Sequence, residues 1–147
     1  MSIVQTATTS FKVQLAQGVH NFGPTNPNTF KIALFTAAAT LNASITAYNS
    51  GLVGEVTGTG YSAGGIPLVI TTTPTSGATG GTVAYWTFAN AVWSPASFTC
   101  RGALIYNQTQ NNASVAILDF GGDKTCANSF TIQFPTPTAT TAILRIA

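Results

Sequence analysis

The side chains that could do acid/base, nucleophilic or metal chemistry are few in this 147-residue chain. His20 is the single histidine, Glu55, Asp119 and Asp123 are the only acids, and Cys100 and Cys126 are the only thiols. Catalysis needs such groups within hydrogen-bond reach of one another. A serine triad would have to recruit His20, which no G-x-S-x-G elbow accompanies. His20 comes after a helical stretch and reads as a capping or dipole-compensating residue at its C-terminus. Asp119 and Asp123 bracket a Phe-Gly-Gly turn, where they read as turn hydrogen-bonders with Lys124 as a local ion partner. A calcium site would need six to eight oxygens and a denser run of acids. The cysteines are 26 positions apart, a spacing that fits neither a zinc site nor a redox C-x-x-C. Cys100 reads as a small buried residue and Cys126 as a turn residue, with a bond between them as the alternative. No catalytic, cofactor-binding or metal-binding residue is therefore assigned.

One stretch has the letters of a nucleotide site. Gly58-Thr-Gly-Tyr-Ser-Ala63 matches G-x-G-x-x-G/A, a fingerprint that works only where it succeeds a buried strand and opens a helix. The next residues are Gly64-Gly65-Ile66-Pro67-Leu68-Val69-Ile70, whose glycines, proline and β-branched side chains favour a strand. No carboxylate lies between Glu55 and Asp119, so the acid that would hold a ribose is missing. The stretch reads as a turn between strands. The aromatics of TVAYWTFANAVW raise a second option, a platform for stacking on sugars. Trp86 and Phe88 share a strand face and read as core, which leaves Tyr85 and Trp93 for a surface or interface.

Charge narrows the classes of partner. Lys12, Lys31, Arg101, Lys124 and Arg145 with the three acids make only 5% of the chain, against about 25% in an ordinary soluble domain. Hydroxyls and amides must cover the surface instead, and 25 threonines supply many of them. With little charge to keep copies apart, such a surface suits a protein packed against others. The basic residues form no cluster, which argues against nucleic acid as a partner. No apolar run reaches the roughly 18 residues of a membrane-spanning helix, and the start MSIVQTATTS lacks the pattern of a secretion signal.

The elements that must position these residues are mostly strands. Phe11, Leu15 and Val19 at four-residue spacing, after Thr9-Ser10 and before Gly23-Pro24, predict one helix over 11–20, with 1–10 as a flexible arm. Thereafter Thr, Val, Ile and aromatic residues alternate between Gly, Asn and Pro turns. Strands are predicted over 29–36, 52–57, 66–73, 82–89, 97–107, 114–120, 129–134 and 142–146. In 97–107, alternation puts Phe98, Cys100, Gly102, Leu104 and Tyr106 on one face and Thr99, Arg101, Ala103 and Ile105 on the other. That strand reads as central and covered on both sides, and 97–134 as a three-strand meander. The polar stretch 71–81 reads as a hairpin tip. The expected fold is all-β, a single domain over 1–147 built as a β-sandwich or barrel of antiparallel sheets with one short N-terminal helix.

Taken in order, SFKVQLAQGVHNF, TFKIALFTAAATLNASITAY, GEVTGTGYSAGG, FTCRGALIYN, AILDFGGDKT and FTIQFPTPTATTAILRIA resemble a family of small structural proteins of tailed bacteriophages. The likeness runs over nearly the whole chain. It implies a non-enzymatic virion component made in the bacterial host cytoplasm, with no catalytic residue to carry over. The expected role is a capsid decoration or cement protein bound to the major capsid protein and to copies of itself. A neck, collar or tail component is the alternative, and a host-glycan adhesin a further one. Tyr85, Trp93, Arg101, Thr73 and Thr75 are the expected interface residues. The arm 1–10 and the tip 71–81 are the segments expected to reach a neighbour.

Overall fold

Strand-forming residues pair into antiparallel sheets in the computed structural model, which describes residues 1–77 and 81–147. In chain order the elements are β1 (Thr6–Ala7), α1 (Thr9–Ala16), β2 (Phe30–Phe35), β3 (Ile66–Leu68), β4 (Ile70–Ser76), β5 (Ala84–Phe88) and β6 (Ala91–Trp93). They continue with β7 (Phe98–Asn107), a 3-10 turn (Gln108–Gln110), β8 (Ala113–Cys126), β9 (Phe130–Ile132) and β10 (Leu144–Ile146). The architecture is all-β with one short N-terminal helix.

A five-stranded sheet in the order β1-β8-β7-β2-β3 faces a three-stranded sheet in the order β10-β5-β4. The core between them joins Phe30, Ile32 and Leu34 of β2 to Trp86 and Phe88 of β5 and Leu144 of β10. Phe22 stacks on Phe30 with ring centroids 4.2 Å apart. On the other face of the large sheet Phe35, Leu104, Tyr106 and Ile117 form a second cluster with Leu41 and Ala39. Both faces of β7 are therefore buried, as its apolar composition predicts. β6 and β9 form a separate ribbon whose Trp93 and Phe130 pack on Phe98.

Strict alternation fails inside β7 and β8. The pairing register shifts between Cys100 and Gly102, and again between Ile105 and Tyr106. The first leaves three more residues on β8 than on β7 and the second leaves one more, and such irregularities change which face the following side chains meet. Phe98 and Cys100 consequently share the inter-sheet core with Ala103 and Ile105, not with Leu104 and Tyr106 as alternation predicted. On β8, Val115 and Ala116 both face that core.

Other boundaries differ from expectation. The helix starts and ends earlier than 11–20, because Thr8 is the N-cap and accepts from the Phe11 N–H at 3.3 Å. Gly18 at φ 72° then terminates it. Residues 1–10, expected as a flexible arm, are tied down: the Val4 N–H donates to Leu41, the Leu41 N–H to Ser2, and Thr6 and Ala7 pair with Ile117 and Ala116. The segment 52–57 contributes a single bridge, Glu55 to Phe35, and no strand of its own. The chain over 66–73 divides at Val69 and enters both sheets. β8 runs through the expected turn to Cys126, and β9 leaves the expected meander to pair with β6. Of the tip 71–81, residues 71–76 belong to β4, and 78–80 lie outside the described residues.

Candidate functional site

The groups that could do chemistry are dispersed over the fold. His20 is buried at 7% exposure and packs against Phe11 in a tilted arrangement with ring centroids 5.0 Å apart. Asn107, at the end of β7, donates its amide to His20 Nδ1 at 2.9 Å and also reaches Asn28 Oδ1 at 2.8 Å. With Nδ1 accepting, the proton sits on Nε2, which donates to Gln14 Oε1 at 3.0 Å. Burial lowers the His20 pKa from its ordinary 6.5. The expectation of a helix-capping histidine is thus corrected: the imidazole engages side chains of α1 and β7, not helix carbonyls. Its role here is to join the helix, the 20–28 loop and the large sheet.

Asp119 and Asp123 sit instead around Arg101. Arg101 Nε lies 3.5 Å from Asp119 and one of its terminal nitrogens 3.9 Å from Asp123. Asp119 also accepts the Gly121 N–H at 2.9 Å, the turn bond expected of it, although the chain there stays in β8. The ion partner is Arg101 in place of Lys124. Half-exposed pairs of this kind contribute little to stability. Cys100 and Cys126 are free and buried, and burial pushes the Cys100 thiol up to about 12. Such a thiol is a poor nucleophile. Among the described residues no three His, Cys, Asp or Glu side chains gather as metal ligands, and no helix is long and apolar enough to cross a membrane.

The densest polar constellation is one that sequence reasoning did not single out. Glu55 accepts hydrogen bonds from the Tyr61 hydroxyl at 2.8 Å, the Tyr48 hydroxyl at 2.9 Å and the Gly64 N–H at 2.6 Å. Tyr61 in turn accepts the Leu34 N–H of β2 at 2.9 Å, and Tyr106 donates to the Gly64 carbonyl at 2.7 Å. Burial raises the pKa of all three tyrosines, that of Tyr48 to about 12 with a further contribution from the Glu55 hydrogen bond. They remain donors at neutral pH, and the carboxylate's acceptor sites are largely occupied. The arrangement pins the glycine-rich connection to β2. The one available signal was the position of Glu55, an isolated acid flanked by tyrosines within seven residues on either side.

The nucleotide-like glycines serve this same connection. A Cβ on Gly58 would lie 2.7 Å from the Ser97 carbonyl oxygen, and one on Gly60 would overlap that of Pro95. Gly65, at φ 69°, backs onto the Ile32 carbonyl. The connection leads into β3, a strand, so no helix N-terminus stands where a phosphate would bind.

The expected interface residues separate into three places. Thr75 and Tyr85 are register partners on β4 and β5, and Thr73 lies on the same strand as Thr75. Tyr85 is half-buried and Thr75 exposed, so these two stand at the surface of the small sheet. Arg101 lies on β7 of the other sheet with its two aspartates. Trp93 is corrected: at 3% exposure it is core, packed between Tyr61, Phe98 and Phe130. Trp86 and Phe88 are buried as expected. Comparison of the chain with protein-family models, with curated proteins and with solved structures finds no match to any of them.

Proposed function

We propose that this chain is a non-enzymatic structural subunit of a tailed-bacteriophage virion, and within it a decoration or cement protein of the head shell. The resemblance of its six sequence motifs to small phage structural proteins supports the virion role. The observation that carries the packed-subunit reading is how the few charges are used. Glu55 is committed to tyrosines, and Asp119 and Asp123 face Arg101. On the remaining surface Lys12, Lys124 and Arg145 are exposed cations, and the rest is left to hydroxyls, amides and exposed aliphatics such as Val53, Val69 and Val92. A subunit of this kind joins neighbours with few unpaired ions to bury, and many such weak contacts add by multivalency. Attachment then depends only modestly on salt, because few ion pairs are available to screen.

A cryo-EM map of the intact particle tests this reading. Density for the two-sheet domain on the shell, repeated with the capsid symmetry, is the expected result. Particles lacking the chain should also lose heat or osmotic resistance. Density at the neck or tail, with loss of tail attachment or adsorption, would replace the head reading with the tail one. Purified virions without the chain would defeat both.

A further inference from the structure

The two sheets are joined on one side and open on the other. At the joined side β3 and β4, the edge strands, run on through Val69. At the open side the edges are β1 and β10, and among the described residues neither has a strand partner on its outer flank. A groove of about 540 Å³ lies between them, within the roughly 300–1,000 Å³ of sites that enclose a ligand. Thr6 and Ala7 form one wall and Leu144 and Ile146 the other, and Phe11, Leu15 and Trp86 supply an apolar floor. An edge strand beside an apolar floor is the arrangement that accepts an added strand through main-chain hydrogen bonds.

Charge selects the occupant. Lys12 and Arg145 are the charged residues lining the groove; no acid lines it, and neither forms an ion pair among the described residues. A second copy of this chain is a poor match, because its three acids are already engaged with Tyr48 and Tyr61 or with Arg101. We infer that the groove receives an extended segment of a different protein, in which apolar residues alternate with acidic ones. The apolar side chains enter the floor, the acids meet Lys12 and Arg145, and the backbone pairs with β1 or β10. The inference rests on the groove alone and does not require the virion reading.

The test uses the full chain labelled with ¹⁵N and the peptide acetyl-Val-Glu-Val-Glu-Val-Glu-Val-amide as probe. Amide signals of Thr6, Ala7, Arg145 and Ile146 and the Trp86 indole signal should shift on titration. Affinity should fall at least about tenfold when lysine replaces the glutamates, when alternate peptide nitrogens are methylated, and in the Lys12→Gln variant. Lys12 is exposed on α1, so that variant should keep the wild-type melting temperature. Arg145→Gln gives a second measure, with its melt checked because Arg145 also donates to the Thr140 carbonyl at 2.7 Å. Absence of shifts up to about 1 mM peptide would overturn the proposal. So would undiminished binding of the methylated or lysine peptides, or the same shifts arising without peptide as protein concentration rises, which would indicate a second copy instead.

Discussion

Asn107 donates its side-chain amide to Nδ1 of His20 at 2.9 Å across 87 positions of sequence. That bond determines which imidazole nitrogen carries the proton, and it leaves no room for a second proton on the Asn107 side. Protonating His20 would set two donors against each other in a site that burial already makes unfavourable to charge.

Stability should therefore fall as the solution is acidified. The folded-state pKa of His20 is below 6.5, so the unfolded chain takes up this proton first. The contribution is fully present above about pH 6.5 and declines as pH drops through and below it. Urea unfolding at pH 7.5 and pH 5 checks this. The wild type should lose more stability between the two than His20→Gln does, and equal losses would remove His20 as the cause.

At alkaline pH the Glu55 constellation should act in the same direction on the opposite flank. Tyr48, Tyr61 and Tyr106 hold their protons above the ordinary value of 10 in the folded chain, so stability declines as pH rises past 10. Tyrosinate absorbance on titration should show Tyr48, Tyr61 and Tyr106 ionising late. At neutral pH, Glu55→Ala should cost about 2–3 kcal/mol by leaving donors unpaired, and Glu55→Gln less than half of that. Hydrogen exchange at the Leu34 amide, which Tyr61 caps, should accelerate in the alanine variant.

Gly65→Ala should be among the most damaging single changes. The new Cβ would overlap the Ile32 carbonyl, and a φ of 69° strains any residue with a side chain. A loss above about 3 kcal/mol, or failure to fold, is expected. Gly122→Ala is the control, since nothing lies within 4 Å of its Cβ position; its change should stay within about 0.5 kcal/mol. Comparable losses in both would refute the close-approach account.

The helix is held by Phe11 more than by Leu15. Phe11 is 4% exposed and sits among His20 and Phe22, whereas Leu15 is half-buried along the groove. Phe11→Ala should cost about 3–5 kcal/mol, and Leu15→Ala less than about 2 kcal/mol. Thermal melts of the two variants check the order, and a larger loss for Leu15 would mean that the groove is filled in solution.

Much of the architecture was legible because it is encoded locally. Period-two apolarity between Gly, Pro and Asn turns identified β2, β5, β7 and β10, and the i, i+4 spacing of Phe11 and Leu15 identified α1. Burial of Trp86 and Phe88 came from the face they share. The bulges at Cys100/Gly102 and Ile105/Tyr106 were not legible, because a register shift depends on the partner strand; the first of them brings Ala103 and Ile105 to the face of Phe98 and Cys100. For the same reason Trp93 could be placed only once β9 had paired with β6. His20 shows the limit most plainly. Its neighbours in sequence suggested a helix cap, but Asn107 and the rings of Phe11 and Phe30 reach it only when α1 docks on the large sheet. Composition alone determined that charge would be scarce. Which of the few charges meet, and that Lys12 and Arg145 face an open groove while Glu55 is enclosed by tyrosines, was decided by long-range packing.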